Sequence, residues 1–218
     1  MINLENSNFF LPTKQFRELS ILLVIMHNSG LSQKSIAQQT DLSGAMVNGY
    51  IKNLTSRDLV RVQSRNQRDK EYFLTENGKE TLMSSLMHCS AEIVALYSQS
   101  RHEVLYRFKN FFDGTSIHKV VIYGAANTAH LVCSVLEEFR NIVISAIVDN
   151  DNKRWGKLIG NYVIQPAHML DELDFDCVVI SSFARQNEIY NSLKYLEQEG
   201  ITLVQLTSLE FYANGKGN

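Results

Sequence analysis

The first 75 residues of this 218-residue chain show two kinds of hydrophobic spacing. Apolar residues recur every three or four positions in residues 13–28, 32–40 and 43–54, which predicts three amphipathic helices. An alternating segment follows at 60–63, and a second apolar segment at 70–74 returns after an entirely polar stretch. The pattern therefore predicts three helices followed by a β-hairpin.

The rest of the chain begins with one long helical segment and then changes character. Residues 80–112 have a helical pattern that predicts a long helix, with a break near residues 98–100. Residues 113–116 favour a turn and mark the domain boundary. Beyond them, short β-branched runs alternate with helical segments, which is typical of a parallel sheet covered by helices. We therefore predict two domains, residues 12–113 and residues 117–212.

Two of the short N-terminal helices are predicted to form a helix-turn-helix. Residues 41–43 connect them tightly, and Ser43 is positioned to cap the second helix. Val47 and Leu54 lie on the face that turns to the core, so the opposite face is available for recognition. The predicted hairpin of residues 60–74 follows this helix directly, which is the position of the wing in a winged helix. The residues predicted to contact DNA from this helix and wing are Ser43, Ala45, Asn48, Lys52, Arg65, Arg68 and Lys70.

Charge is distributed unevenly along the chain. The net charge of −2 does not indicate a generally basic nucleic-acid binder. Residues 32–73, however, contain seven Lys or Arg against four Asp or Glu, an excess of three positive charges that leaves the remainder at −5. Cations concentrated in one segment are what contact with DNA phosphates requires.

Residues 31–82 resemble the winged helix-turn-helix of bacterial and archaeal transcriptional regulators, including the multiple-antibiotic-resistance regulator type. The resemblance rests on residues 31–37, on residues 54–60 and on the strand-to-helix exit at 72–79. It implies DNA binding by a dimer, because a two-fold protein matches two half-sites. The alternative is a winged helix that serves only protein contacts or dimerisation.

A loop with a single glycine opens the second domain. Residues 120–123 form a β-branched run, Gly124 ends it, and a helical pattern follows, which is the order of a Rossmann-type unit. In the G-x-G-x-x-G fingerprint, Gly124 has the first position, but Ala126 and Ala129 have the other two. Asp149 ends the next strand, where an acidic residue holds a ribose hydroxyl. The alternative is a nucleotide-free domain in which Asp149 caps a turn.

The second half of the chain resembles the small Rossmann-like domains of nucleotide-sugar and polysaccharide-biosynthesis proteins. The similar segments are residues 122–125, 148–149, 155–160 and 179–182. The resemblance implies a nucleotide or nucleotide-sugar site, and NAD(H) is a further candidate cofactor. The carboxyl ends of parallel strands independently indicate the same residues. The predicted ligand-binding residues are Gly124, Ala125, Ala126, Asn127, Thr128, Asp149, Ser181 and Ser182.

Patterns for catalysis and metal binding are weak. Tyr190 and Lys194 have the Tyr-x-x-x-Lys spacing of short-chain dehydrogenases, but a domain of about 95 residues leaves little room for a substrate wall. We interpret the spacing as that of an amphipathic helix and predict no catalytic residue and no enzyme activity. His88, Cys89 and His102 lack paired ligand spacing and are interpreted as helix residues, so no metal site is predicted.

The sequence as a whole predicts an α/β two-domain regulator. It consists of a winged helix-turn-helix, a long connecting helix and a Rossmann-like parallel sheet that senses a small-molecule effector. The layout resembles redox-sensing repressors that join a winged helix to an NADH-binding domain. The expected partners are double-stranded DNA and a second copy of the chain.

Location and the rival functions follow from the same patterns. Three widely spaced cysteines and the short apolar runs favour a cytoplasmic protein without a membrane segment. The alternative function is an enzyme or assembly protein of nucleotide-sugar or polysaccharide biosynthesis with an appended winged helix.

Overall fold

The computed structural model describes residues 12–64 and 70–206. The predicted wing tip, with Arg65 and Arg68, and the predicted end of the second domain at residues 207–212 lie outside this range.

Two compact units make up the chain, Met1–Leu96 and Tyr97–Asn218. The division falls within a helix, whereas the sequence places the boundary at residues 113–116. The physical reason is that the last turns of that helix carry Val104, Phe108 and Phe112, which are buried in the core of the C-terminal unit.

The N-terminal unit contains the predicted three helices and hairpin, and each helix begins after a capping hydroxyl. Thr13, Ser32 and Ser43 each accept a hydrogen bond from the backbone N–H three residues later, at 3.1, 3.2 and 3.3 Å. The strands are antiparallel and pair from Val60–Leu74 to Ser64–Lys70. The elements are α1 Lys14–His27, α2 Gln33–Thr40, α3 Gly44–Ser56, β1 Val60–Ser64 and β2 Lys70–Leu74.

A single core holds these elements together. Ile21 of α1, Ile36 of α2 and Leu54 of α3 are fully buried in one cluster, and Tyr72 joins it from β2. Because each helix contributes one apolar face, the opposite faces of α2 and α3 stay in contact with solvent.

One uninterrupted helix, α4 Glu76–Phe112, follows the hairpin. It begins four residues before the predicted segment, after the Thr75 hydroxyl, which accepts a hydrogen bond from Gly78 N at 2.9 Å. The predicted break at residues 98–100 is wrong. The serines at 98 and 100 lie within the helix at exposed positions, and serine lowers helix propensity only slightly relative to other residues.

A six-stranded sheet forms the centre of the C-terminal unit. Its elements are β3 Lys119–Tyr123, α5 Asn127–Leu136, β4 Val143–Asp149, β5 Leu158–Ile159, β6 Tyr162–Pro166, β7 Cys177–Ile180, α6 Gln186–Leu193, β8 Thr202–Gln205 and the 3₁₀ helices Ala167–Glu172 and Lys194–Glu199. The strand order is β5-β6-β4-β3-β7-β8. The five neighbouring strands β6, β4, β3, β7 and β8 are parallel. Numbered by their order in the chain, with β3 as the first, they lie across the sheet in the order 3-2-1-4-5. Doubly wound sheets have this order, and the direction in which successive strands are added across the sheet reverses beside the first strand.

The β-branched runs are buried on both faces, as their composition predicts. In β3, Val120 and Ile122 face a cluster that includes α5 and the end of α4. Val121 and Tyr123 face a second cluster, which includes Ile189 of α6. Alternate residues of one strand therefore complete two separate cores, one on each face of the sheet.

The sheet is mixed rather than wholly parallel, which corrects the prediction. Leu158 and Ile159 form strand β5, which pairs antiparallel with β6. Gly160, at φ 56°, and Asn161 form the two-residue turn between the paired residues Ile159 and Tyr162. A Gly-Asn pair between apolar segments is a hairpin pattern, and it identifies this strand in retrospect.

Candidate DNA-binding surface and candidate ligand site

The connection between α2 and α3 fixes the geometry of the helix-turn-helix. Asp41 has φ 53° and ψ 35°, the left-handed conformation that ends α2, and Leu42 N donates to Ala37 O at 3.2 Å. Ser43 then caps α3, so its predicted role as a cap is confirmed. The Gln33 side-chain amide donates to Gly44 O at 3.1 Å and joins the start of α2 to the start of α3.

The exposed face of α3 contains the helix residues that the sequence predicts for DNA contact. Ala45, Asn48 and Lys52 are all exposed, whereas Val47, Ile51 and Leu54 on the opposite face are buried. No acidic residue occurs in α3. Beside the lysine and asparagine, this face consists of small residues, and its surface is therefore low and free of negative charge.

The hairpin lies directly after this helix in the chain. Lys70 is the first residue of β2, is exposed and pairs with Ser64, so it is adjacent to the predicted wing tip. Further along the hairpin, the Arg61 guanidinium lies 5.2 Å from the centre of the Phe73 ring, a cation–π contact on an exposed strand.

The loop after β3 has the conformation that its one glycine permits. Gly124 has φ 101°, and a Cβ built there would lie 3.2 Å from Ser181 Oγ. Both facts favour glycine, because L-residues rarely adopt this φ. Its N–H donates to Val148 O at 2.8 Å, so the loop crosses the end of β4. Ala126, exposed and extended, precedes the first residue of α5 and provides no side-chain cap.

Asp149 binds the backbone of this loop. Its Oδ2 accepts a hydrogen bond from Ala125 N at 2.6 Å, and its Oδ1 accepts one from Asp151 N at 2.7 Å. Arg154 completes the arrangement, because its Nη1 donates to Ala125 O at 2.6 Å. The peptide groups on both sides of Ala125 are thus held by a carboxylate and a guanidinium that come from the end of β4 and the segment after it.

The remaining predicted ligand residues differ in accessibility. Ser181 is buried, and its hydroxyl donates to Tyr123 O at 3.1 Å and to Gly124 O. Ser182 is half-buried, and its hydroxyl accepts a hydrogen bond from Arg185 N at 3.3 Å. Asn127 is exposed and Thr128 half-buried in the first turn of α5. The structure therefore brings the loop, Asp149 and the serines together at the carboxyl ends of β3, β4 and β7.

A cleft beside this loop contains residues that the sequence analysis missed. Its volume is about 320 Å³. The lining residues are Ala125, His130, Asp151, Lys153, Arg154, Lys157, Leu158, Ile159 and Ile164. The run Lys153-Arg154-x-x-Lys157, which follows the acidic turn after β4, is the sequence signal that identifies it.

Tyr190, Lys194 and Cys133 lie in helices of the C-terminal unit. The Tyr190 hydroxyl donates to Glu197 Oε1 at 2.8 Å, and α6 ends before Lys194. Burial, with Glu137 nearby, raises the pKa of the Cys133 thiol to about 11, so this cysteine is protonated at neutral pH. Across residues 12–64 and 70–206, no three metal-binding side chains converge, and none of the helices contains an apolar stretch that would span a bilayer.

Two family models match separate parts of the chain. One, described as winged helix-turn-helix DNA-binding, matches residues 17–61. The other, described as C2185-like, N-terminal, matches residues 116–202. The N-terminal unit therefore contains a winged helix-turn-helix, a class of domain found in many transcriptional regulators. No curated protein matches the chain.

Similar chains among solved structures are transcription regulators. MepR, a transcription regulator of the Staphylococcus aureus multidrug efflux pump MepA, is 24% identical at a TM-score of 0.34, over 38% of this chain and 63% of that one. MepR in its DNA complex is 23% identical at a TM-score of 0.35, over 38% of this chain and 62% of that one. The PcaV transcriptional regulator of Streptomyces coelicolor is 16% identical at a TM-score of 0.34, over 37% of this chain and 59% of that one. The chain thus spans about three fifths of the length of each of these regulators.

Proposed function

We propose that this protein is a DNA-binding transcriptional regulator that reads a DNA groove with α3. The observation that carries the proposal is the exposed face of α3, where Ala45, Asn48, Gly49 and Lys52 lie together in a winged helix-turn-helix domain. Asparagine suits adenine and lysine suits guanine in the major groove. The absence of acidic residues from α3 removes a source of repulsion from DNA phosphates.

Removal of Lys52 is expected to weaken DNA binding. A lysine that contacts a base edge or a phosphate contributes roughly 1–3 kcal/mol, so we expect Lys52→Ala to lose roughly tenfold or more in affinity. A lost phosphate contact also lowers the slope of log K against log salt by about one unit. Fluorescence anisotropy with fragments from upstream of the protein's own gene, between about 50 and 200 mM salt, measures both quantities.

The matched control for this experiment is Lys109→Ala, which removes the same charge from an exposed position in the C-terminal unit. It should bind DNA as the wild type does. Equal losses in the two variants would show that general charge, not the α3 surface, determines binding. Failure of the wild type to bind any fragment at low salt would refute the proposed function.

Substitution of Gly49 should change stability and DNA binding in opposite directions. A Cβ built on Gly49 meets no atom within 4 Å, so alanine fits and raises the free energy of unfolding of this unit by about 1 kcal/mol. The added methyl group lies on the proposed DNA-facing surface and should lower affinity. Thermal unfolding and anisotropy of Gly49→Ala test this. Ser84→Ala, at an exposed position of α4, should leave affinity unchanged.

We also propose that α4 pairs with α4 of a second copy. Met83, Met87, Val94 and Tyr97 are exposed by 55, 69, 61 and 48% and recur at intervals of four, seven and three residues, which places them on one face. An apolar stripe of this length is stabilised when another apolar surface covers it. Pairing of two such stripes supplies the two-fold symmetry that DNA half-sites require.

Charges placed in this stripe should separate the two copies. We expect Met87→Glu/Val94→Glu to weaken self-association by roughly tenfold or more, because two carboxylates would have to be desolvated in an apolar contact. Sedimentation equilibrium measures the effect. The control Gln99→Glu/Asn110→Glu adds the same charge at exposed positions of the same helix outside the stripe. A wild-type protein that sediments as a monomer at micromolar concentration would contradict the pairing.

We propose in addition that the C-terminal unit has a Rossmann-like, nucleotide-binding character and senses a small-molecule effector. The support is the 3-2-1-4-5 order of its parallel strands, with the Gly124 loop and Asp149 at their carboxyl ends. The candidates are a nucleotide, a dinucleotide such as NAD(H), or a nucleotide-sugar. An effector changes DNA binding only if it binds the DNA-competent and DNA-incompetent states with different affinities.

A further inference from the structure

The loop after β3, residues 124–126 and here called the glycine loop, already holds a negatively charged side chain against its backbone. The Asp149 carboxylate accepts the Ala125 N–H at 2.6 Å, which is the kind of backbone donor that a ligand phosphate uses at such loops. A phosphate at this donor would have to displace the carboxylate or lie against it, and like charges at hydrogen-bond distance repel each other. Binding of an anionic group at the Ala125 N–H is therefore unfavourable in this conformation, because the Asp149 carboxylate already occupies that donor.

The cleft of about 320 Å³ next to this loop has the opposite charge. Lys153, Arg154 and Lys157 supply three cations from one short segment, and His130 of α5 lines the same space. Asp151 is the one acidic residue of the lining. The backbone N–H of Lys153, followed by Arg154, lowers the pKa of Asp151, so the lining has an excess of two positive charges at neutral pH.

The two lysines and the arginine differ in what they already bind. Arg154 is held against the loop by its hydrogen bond to Ala125 O and lies 3.3 Å from Asp151 Oδ2. Lys153 and Lys157 are exposed, and neither takes part in an ion pair of the described part of the chain. Their ammonium groups are thus available to a ligand, whereas the guanidinium fixes the wall between cleft and loop.

The cleft also has an apolar side. Ile159 and Ile164 are buried at its floor, and Leu158 is exposed at its rim. Small-molecule sites combine such a surface with a few charged groups and have volumes of roughly 300–1,000 Å³. A volume near the lower end suits a compact ligand or the charged end of a larger one.

We propose that this cleft is the anion subsite of the C-terminal unit and that it takes the diphosphate of a small phosphorylated ligand. Lys153 and Lys157 bind the phosphate oxygens, Arg154 positions the loop, and the ligand's remainder lies toward Ile159 and Ile164. The inference rests on the proposed effector-binding function, and it places the charged group on the β4–β5 connection rather than on the glycine loop.

Direct binding to the full-length protein tests this assignment. Trp155 is the chain's single tryptophan, and its indole N–H donates to Asp149 O at 2.7 Å, next to Arg154 in sequence, so its fluorescence reports events at the cleft. The probes are inorganic pyrophosphate, ADP and UDP at about 150 mM salt. Isothermal calorimetry provides a readout that does not depend on the tryptophan.

We expect all three probes to bind, and Lys153→Ala/Lys157→Ala to weaken each by roughly tenfold or more, because charged hydrogen bonds to phosphate are lost. The control Lys109→Ala/Lys194→Ala removes the same charge elsewhere in this unit and should stay within about twofold of the wild type. Tighter binding of one nucleotide than of pyrophosphate would identify the base that occupies the neighbouring surface.

Two outcomes would overturn the subsite. One is equal affinity in wild type and Lys153→Ala/Lys157→Ala, which places the anion elsewhere. The other is absence of binding by any probe at millimolar concentration. Anisotropy of the same preparations on DNA keeps the questions separate, because loss of the cleft leaves the DNA result unchanged, and failure to bind DNA does not alter the pyrophosphate titration.

Discussion

Phe108→Ala is expected to destabilise the C-terminal unit by about 3–5 kcal/mol, the usual range for removal of a buried phenylalanine. Phe108 is fully buried, and its ring lies edge-on to that of Phe112, with the centroids 5.6 Å apart. The substitution removes this aromatic contact and leaves a cavity in the cluster between the sheet and α5. Urea unfolding followed by Trp155 fluorescence measures the loss within this unit.

A second substitution on the same helix separates burial from helix propensity. Tyr106→Ala removes an aromatic ring two residues earlier, but this ring is 53% exposed, and the expected change is below about 0.5 kcal/mol. Comparable effects of the two substitutions would contradict the packing of the last turns of α4 against the C-terminal sheet. The experiment thus tests where the compact units divide, which the sequence placed after the helix.

Gly78→Ala should have the second large effect, a loss of about 3 kcal/mol in the stability of the N-terminal unit, at the upper end of what overpacking produces. A Cβ at this position would lie 2.0 Å from Leu59 O and 3.0 Å from Leu59 C, both backbone atoms. The same Leu59 carbonyl accepts a hydrogen bond from Thr75 N at 3.1 Å, so it does not move freely. The first turn of α4 therefore requires glycine for its close approach to the segment that enters β1.

Comparison with Gly49→Ala separates the effect of steric overlap at Gly78 from the effect of helix propensity. Both glycines are within helices of the N-terminal unit, and helix propensity alone favours alanine at each by about 1 kcal/mol. Open space surrounds Gly49, whereas a carbonyl faces Gly78. Peptide-resolved hydrogen exchange should therefore show faster exchange in α3 and β1 for Gly78→Ala and slower exchange for Gly49→Ala. If both substitutions stabilise the unit, the Leu59 backbone moves to make room for the added methyl group, and the prediction for Gly78→Ala is wrong.

Local patterns predicted much of the N-terminal unit. The Ser43 hydroxyl caps α3 where the sequence places a cap, and the hydroxyls of Thr13, Ser32 and Thr75 cap the other helices of this unit. Capping depends on residues three positions apart, and a helix face depends on a period of 3.6, so both are visible within a short window. The predicted break in α4 was wrong because serine lowers helix propensity only slightly, and tertiary contacts at both ends of the helix override it.

The candidate ligand site was predicted only in part. Sequence spacing placed Gly124 and Asp149 at strand ends, but it did not reveal that Asp149 binds Ala125 N or that Ser181 is buried under the loop. It also missed strand β5, whose two residues are too few to show a period. These features depend on which strands are neighbours, and strand order is not a local property of the sequence.

The sequence by itself determined the helices, the hairpin, the buried strands and the exposed face of α3, because hydrophobic periodicity, capping and turn residues act over a few positions. The tertiary structure alone decided where α4 changes from one core to the other and what surrounds the glycine loop. Ala125 receives its partners from residues 24 and 29 positions away, and these meet it only because β3 and β4 are adjacent. The same adjacency forms the basic cleft of His130, Lys153 and Lys157.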